Sequence, residues 1–369
     1  MNIGFDSKRA FCNNTGLGNY SRTLISSLEE YCKNCNLILF TPKRKLEFHT
    51  QSTIIEPQIF LSKLFNSYWR SKIISRKAKQ YNLDLYHGLS HEIPFAMHKK
   101  VKTLVTIHDL IYLTRPKEFS LIDRKVYDKK FRYACNNAHA IVAITNETKK
   151  DIIKYFNIPA KKIYVIYQSC DSIFRHVFEK KTLIKFRKKY SLPKDYLLFI
   201  GSMNPRKKPL ELVKAYHKIS NQTNWPLIMI GSGKEKAKII DFIIEHNLQQ
   251  KITFLKIKSN EELAMLYQCA SIFTFPSVNE GFGIPIIEAQ FSKTCVLTSS
   301  FSCLPEVAGP GAIYTNPNDL AQFSQSIITL INDKRKREES VKISFQWVQK
   351  YSQENIANEY IKLYKSLLY

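Results

Sequence analysis

Short apolar runs alternate with longer amphipathic stretches along the whole chain. In the first half the runs fall at 2–6, 37–40, 83–87, 103–108, 141–144 and 163–167. They are nearly continuous in apolar residues, as strands buried on both faces are. Segments 19–30, 121–136 and 147–155 lie between them and carry a helical pattern. The alternation then restarts, with runs at 196–200, 227–230, 252–255, 272–275 and 295–298, and helices between them that include 209–218. Such a pattern predicts an α/β fold of two doubly wound parallel sheets, each covered by helices on both faces. The stretch 180–193 is charged, helical and free of strand character, and the boundary between the halves belongs beside it. We expect domains at 1–176 and 177–350 facing across a cleft, with a last helix at 351–369 packing back on the first. In such sheets ligands bind on loops that leave the carboxyl ends of the strands.

Composition narrows the class. A chain of 369 residues, 44% hydrophobic with mean hydropathy −0.26, is globular and not disordered. The amino terminus is interrupted early by Asp6, Lys8 and Arg9, unlike a secretory signal. No apolar run approaches the ~20 residues that span a bilayer. A cytoplasmic protein is expected, and its eight cysteines should be reduced. Cys32 and Cys35 form a CxxC pair, but no second pair completes a zinc site. They read as two ordinary thiols near a helix end.

The formal net charge is +25, with +15 on residues 1–176 and +10 on the rest. Such an excess favours a polyanion: nucleic acid, nucleotide phosphates, or an anionic membrane face. Basic clusters stand at 70–79, 98–102 and 124–132, and each taken singly reads first as a solvated helix face.

Five motifs sit where loops should leave strands. Gly16-Leu17-Gly18-Asn19-Tyr20 follows the first strand, and its glycines would let backbone amides approach an anion. The pair His108-Asp109 emerges from the apolar strand before it. Gly201 through Lys207 ends in the cations Arg206 and Lys207; arginine engages phosphate bidentately and lysine adds a point charge. Gly231-Ser232-Gly233 permits close backbone approach but is common in turns. The fifth is the longest: Glu280-Gly281-Phe282-Gly283-Ile284-Pro285-Ile286-Ile287-Glu288. Its glycine turn enters a helix whose first amides suit an anion. Glu280 before the helix and Glu288 inside it could each accept sugar hydroxyls.

These motifs, with Ser302-Cys303-Leu304-Pro305-Glu306 and Asn316 through Asp319, resemble the retaining glycosyltransferases of family 4. That family has the GT-B fold of two Rossmann-like domains. The resemblance spans nearly the whole chain and is greatest to the branch that transfers mannose in bacterial O-antigen and capsule synthesis. It implies a nucleotide-sugar donor, GDP-mannose or a UDP-sugar. By it, Glu280 would hold the transferred sugar and Glu288 the ribose. Arg206 and Lys207 would neutralise the diphosphate, with amides from Gly281 to Ile286 around it and Gly16 and Gly18 close on the other domain. His108 would contact the sugar, Asp109 would orient the acceptor or the histidine, and the base would lie at Leu255, Lys256 and Ile257. Cys170 stands where relatives have glycine, and Ser202 where some have arginine.

No two aspartates stand two apart, so the Asp-x-Asp metal motif of other glycosyltransferases is missing from the sequence, and a metal-independent reaction is expected. The resemblance further implies a glycan acceptor on a polyprenyl diphosphate and peripheral contact with the inner membrane face, for which the aromatic, basic segment 60–70 is one candidate. A nucleotide-sugar epimerase would share the architecture but act without an acceptor. A nucleic-acid binder would explain the charge but not the paired carboxylates, which repel a phosphate backbone.

Overall fold

The computed structural model describes residues 1–57 and 68–369. Most of the segment 60–70 therefore lies outside the described residues. The chain divides into two units, Met1–Cys170 with Tyr351–Tyr369, and Asp171–Lys350. Among the described residues no helix is long and apolar enough to cross a membrane.

The first unit is a parallel sheet of β1 (Asn2–Asp6), β2 (Asn36–Phe40), β3 (Thr53–Ile55), β4 (Leu85–Gly88), β5 (Lys102–Ile107), β6 (Ala140–Ala143) and β7 (Ile163–Val165), in the order β3-β2-β1-β4-β5-β6-β7. β1, β4, β5 and β6 are almost wholly buried, which explains their unbroken apolar sequence. β3 was not expected. It is a three-residue edge strand, largely outside the core, so neither apolar continuity nor alternation marks it.

The helix expected at 19–30 begins earlier, as Gly16–Tyr31. Asn13 accepts from the backbone and hydroxyl of Thr15 at 2.7 and 2.6 Å and so organises the turn that starts the helix. Gly16 and Gly18 are thus helical residues and not part of a preceding loop. Cys32 caps the end of this helix and is joined to Cys35 as a disulfide, correcting the expectation of two reduced thiols. The pair's Cα atoms are 5.4 Å apart, inside bridging reach. The other six cysteines form no disulfide.

The helix Gln353–Leu368 closes the first unit through a buried polar network. Tyr360 donates to or accepts from Tyr20 at 2.7 Å, and Tyr20 reaches Thr106 at 3.1 Å. His87 bridges Tyr364 and Thr106, each at 2.8 Å, and burial holds the imidazole neutral, at about 3. Ile356, Ala357 and Leu363 fill the same core as Leu24 and Leu28 of the first long helix.

The second unit repeats the plan with β8 (Leu197–Ile200), β9 (Leu227–Ile230), β10 (Ile252–Phe254), β11 (Ile272–Phe275), β12 (Cys295–Ser299) and β13 (Ile313–Thr315), all parallel in the order β10-β9-β8-β11-β12-β13. β13 is again a short edge strand that the apolar pattern did not mark. The order reverses between β8 and β11, so their following loops run to opposite sides and open a crevice at the carboxyl edge.

Removal of the Tyr360 side chain tests the closing helix. Tyr360→Ala should lower stability by about 3–5 kcal/mol, and Tyr360→Phe by about 1–2 kcal/mol, in urea unfolding of the full chain. Equal losses would mean that the hydroxyl network, not the packing, holds the helix.

Candidate functional site

The crevice of the second unit gathers three charged side chains. β8 delivers its chain through Gly201 to a short 3-10 turn, Pro205–Lys207, and β11 delivers Ser277 and Glu280. Lys207 Nζ donates to Glu280 Oε1 at 2.7 Å, and Ser277 Oγ donates to the same oxygen at 2.7 Å. Arg206 Nη1 lies 3.0 Å from it and also donates to the Asn279 carbonyl at 2.7 Å. Lys207 stacks its ammonium over the Phe275 ring, 4.7 Å from the centroid. Burial by itself would raise the Glu280 carboxyl, but Lys207 and Arg206 outweigh it and hold the group at about 2. Glu280 is therefore a firm anion that binds by accepting.

The backbone holds these loops together. Val278 N–H donates to the Arg206 carbonyl at 2.8 Å, and Ser299 Oγ donates to the Ser277 carbonyl. Ser302 Oγ and Cys303 Sγ both donate to the Glu280 carbonyl at 3.1 Å. The glycine loop from β9 packs on the β8 loop, Met203 N–H donating to the Ser232 carbonyl at 2.9 Å.

Gly283 caps the helix Ile284–Phe291 at φ 106°, a left-handed conformation that strains any L side chain. Gly281 and buried Phe282 precede it, and Pro285 lies in the first turn. Not every amide from Gly281 to Ile286 is available to an anion. Pro285 has no N–H, and Ile286 N–H already donates to the Gly283 carbonyl at 2.9 Å.

Glu288 lies apart from the cation cluster. It is 6% exposed and accepts from the Tyr267 hydroxyl at 3.1 Å. Burial pushes its carboxyl up to about 7, with the Tyr267 hydrogen bond working against the rise. Leu255, Lys256 and Ile257 leave the edge strand β10 at the same carboxyl edge, with Lys256 exposed. Ser277, Tyr267, Ser302 and Cys303 act on the glutamates; Ser302 and Cys303 stood in a motif of the resemblance, but none of the four was given a role from sequence. Nothing marks Tyr267, because it is one apolar-face residue of an ordinary helix.

The first unit's candidates have a different character. His108 is buried at the end of β5 and both ring nitrogens are engaged. Nε2 donates to the Leu89 carbonyl at 2.8 Å, which leaves Nδ1 to accept from Gln168 Nε2 at 2.9 Å. Burial, with neighbouring His91, lowers it to about 3, so the ring is neutral and is no proton carrier near neutral pH. Asp109 Oδ1 accepts from Ile111 N–H at 3.1 Å. Gly18 is required by packing, since a Cβ there would stand 1.8 Å from the Asn13 carbonyl oxygen. A Cβ on Gly16 would meet open space.

Comparison with known proteins accounts for both units. The model of the family described as Glycosyl transferases group 1 matches residues 180–347, and that of Glycosyltransferase Family 4 matches residues 14–172. The O-antigen chain mannosyltransferase B of Escherichia coli is 29% identical over 78% of this chain and 76% of its own. The O-antigen chain mannosyltransferase RfbU of Salmonella typhimurium is 29% identical over 71% of this chain and 68% of its own. Among solved structures, the sucrose-phosphate synthase of Thermosynechococcus elongatus superposes with TM-score 0.82 over 100% of this chain and 99% of its own, at 19% identity, a likeness of fold.

The two glutamates should give pH effects of opposite sign. Glu288 holds its proton to about 7 against an ordinary 4.5, so the folded chain binds more protons in that window and stability falls as pH rises through it. Glu280, held at about 2, contributes fully above 4.5 and loses that contribution only as pH falls towards about 2. Glu288→Gln should remove the stability slope between about pH 5 and about pH 8 in urea unfolding. An unchanged slope would place the titration elsewhere.

Proposed function

The chain belongs to the group 1, or family 4, glycosyltransferases, and on that premise we propose that it transfers mannose from GDP-mannose, with retained configuration, to a lipid-linked glycan of a bacterial surface polysaccharide. The observation that carries the donor part is the cluster of Arg206, Lys207 and Glu280 beside the Gly283 turn. It combines two cations for a diphosphate with a carboxylate for sugar hydroxyls. The similarity to two mannosyltransferases of O-antigen chains supports the sugar and the pathway class.

In this reading the diphosphate lies against Arg206, Lys207 and the Ile284 amide, and Glu280 accepts from hydroxyls of the sugar. Glu288 accepts from the ribose, and its partner Tyr267 orients it. Leu255, Lys256 and Ile257 border the base. Gly16 and Gly18 are the first unit's candidates for the diphosphate, and His108 and Asp109 those for the sugar; a sugar hydroxyl would reach a His108 ring nitrogen by displacing the Leu89 carbonyl or Gln168 from it. Fixed cations take up the charge that develops on the leaving phosphate, the task a metal performs in other transferases. That supports a metal-independent reaction.

The state of Glu280 bears on retention. A carboxylate held at about 2, with three donors converging on one oxygen, is a weak nucleophile. That favours front-face transfer. The bond from the anomeric carbon to phosphate oxygen breaks, the bond to the acceptor oxygen forms on the same face, and the departing phosphate takes the acceptor proton.

Transfer should proceed in excess chelator, with GDP-mannose preferred over UDP-hexoses. Arg206→Ala and Lys207→Ala should each lower kcat by about 100-fold or more. A UDP-sugar preference would overturn the donor assignment. A glycosyl adduct on Glu280, detected by mass spectrometry of the wild-type chain, would overturn the front-face mechanism. Conversion of the nucleotide sugar to its epimer without acceptor would overturn transfer itself.

A further inference from the structure

β11 and β12 run side by side, and the loops that leave them are joined beside Glu280. The loop after β12 reaches the Glu280 segment at two places. Ser299 Oγ donates to the Ser277 carbonyl, and farther along Ser302 Oγ donates to the Glu280 carbonyl at 3.1 Å. Cys303 Sγ lies 3.1 Å from that same carbonyl and 3.4 Å from the Phe282 carbonyl. Cys303 is 1% exposed, and burial pushes its thiol well above the ordinary range, so it keeps its proton and donates.

Ser302 makes its bond from a costly backbone. Its φ of 56° lies in the left-handed region, which glycine enters freely and an L side chain does not. Glycine would relieve that strain but could not supply the hydroxyl to Glu280. Strain kept at one residue beside a charged crevice is an outlier that asks for a functional reason. The bonds also set directions. In a trans peptide the N–H points opposite to the C=O, and no peptide bond among the described residues is cis. The Phe282 carbonyl faces Cys303, so the Gly283 N–H, at the start of the helix Ile284–Phe291, points away from it. A Cβ on Gly283 would stand 3.2 Å from Leu304 Cδ2, so the same turn is packed as well as bonded.

We propose that Ser302 and Cys303 are positioning residues for the transfer: by donating to the backbone of residues 280–282 they hold the Glu280 carboxylate and the Gly283 amide where the sugar and the diphosphate need them. Lys207, Arg206 and Ser277 fix the carboxylate at its tip. Ser302 and Cys303 fix the backbone at its base. Held at both ends, the side chain has one setting, and small misplacements of such a group cost rate steeply. Cys303 is buried and acts only through the loop. This deepens the donor-site part of the proposed function and rests on it for its catalytic consequence. The order of the loop is measured without donor or acceptor, so its failure and that of the transferase reading are separable.

The test compares Ser302→Gly, Ser302→Ala, Cys303→Ala and Cys303→Ser in the full chain. Ser302→Gly loses the hydroxyl but relieves the left-handed backbone, so its Tm should stay near wild type. Ser302→Ala loses the hydroxyl and keeps the strain, so its Tm should fall. Both should lower kcat with GDP-mannose by about 10-fold, at a temperature where each is folded, with little change in KM. Cys303→Ser keeps a donor and should retain the activity that Cys303→Ala loses. In hydrogen–deuterium exchange of the ligand-free chain, segment 279–284 should exchange about 10-fold faster in Ser302→Gly and Cys303→Ala. Exchange at the wild-type rate in both variants would overturn the proposal. So would wild-type kcat in Ser302→Gly, or activity losses that merely follow Tm across the variants. A wild-type chain inactive with every nucleotide sugar would overturn the transferase reading, and the exchange rates would still decide whether the two residues order the loop.

Discussion

A carboxyl buried as deeply as Glu280 stays ionised only with opposite charge in contact, and its two cations arrive from the loop of a different strand. That requirement ties the loop after β8 to the loop after β11 across the point where the strand order reverses. The surrounding bonds serve the same end: Val278 to Arg206, Ser299 to Ser277, and Ser302 and Cys303 to the Glu280 carbonyl. The crevice is consequently pre-shaped in backbone as well as in charge. Preorganised charge acts on a reacting diphosphate without first having to reorganise.

The strand ends of the first unit are built on a contrasting principle. His87 and His108 are buried, neutral and fully hydrogen-bonded, and they position neighbours without carrying charge. The chain's last helix supplies Tyr360 and Tyr364 to this network, so the carboxyl terminus is part of the first unit's core. Beside them the end of β1 carries the buried Asp6–Arg70 ion pair, so this edge combines neutral hydrogen-bonding groups with paired charge.

Much of this was legible before folding is considered. Strands buried on both faces must be continuously apolar, so eleven of the thirteen strands among the described residues announced themselves and the parallel, doubly wound plan followed. The Glu280–Glu288 stretch was also legible as a glycine turn and proline leading into a helix, and the helix Ile284–Phe291 begins there. The edge strands β3 and β13 were hidden because three residues at a sheet margin carry no period. The packing role of Gly18 was hidden too, since its close neighbour, the Asn13 carbonyl, is a contact made by the turn and not by the sequence pattern.

What sequence by itself determined is therefore the identity of the groups and the strands that end beside them: Arg206, Lys207, Glu280, Glu288 and His108. The tertiary structure decided their states. It set Glu280 as a firm anion near about 2, Glu288 as an acid titrating near about 7, and His108 as a neutral ring. The two glutamates are eight residues apart on one motif, yet one contacts two cations and the other, buried, a tyrosine hydroxyl. Protonation follows local charge and burial, and those are set by which distant loops fold against a side chain.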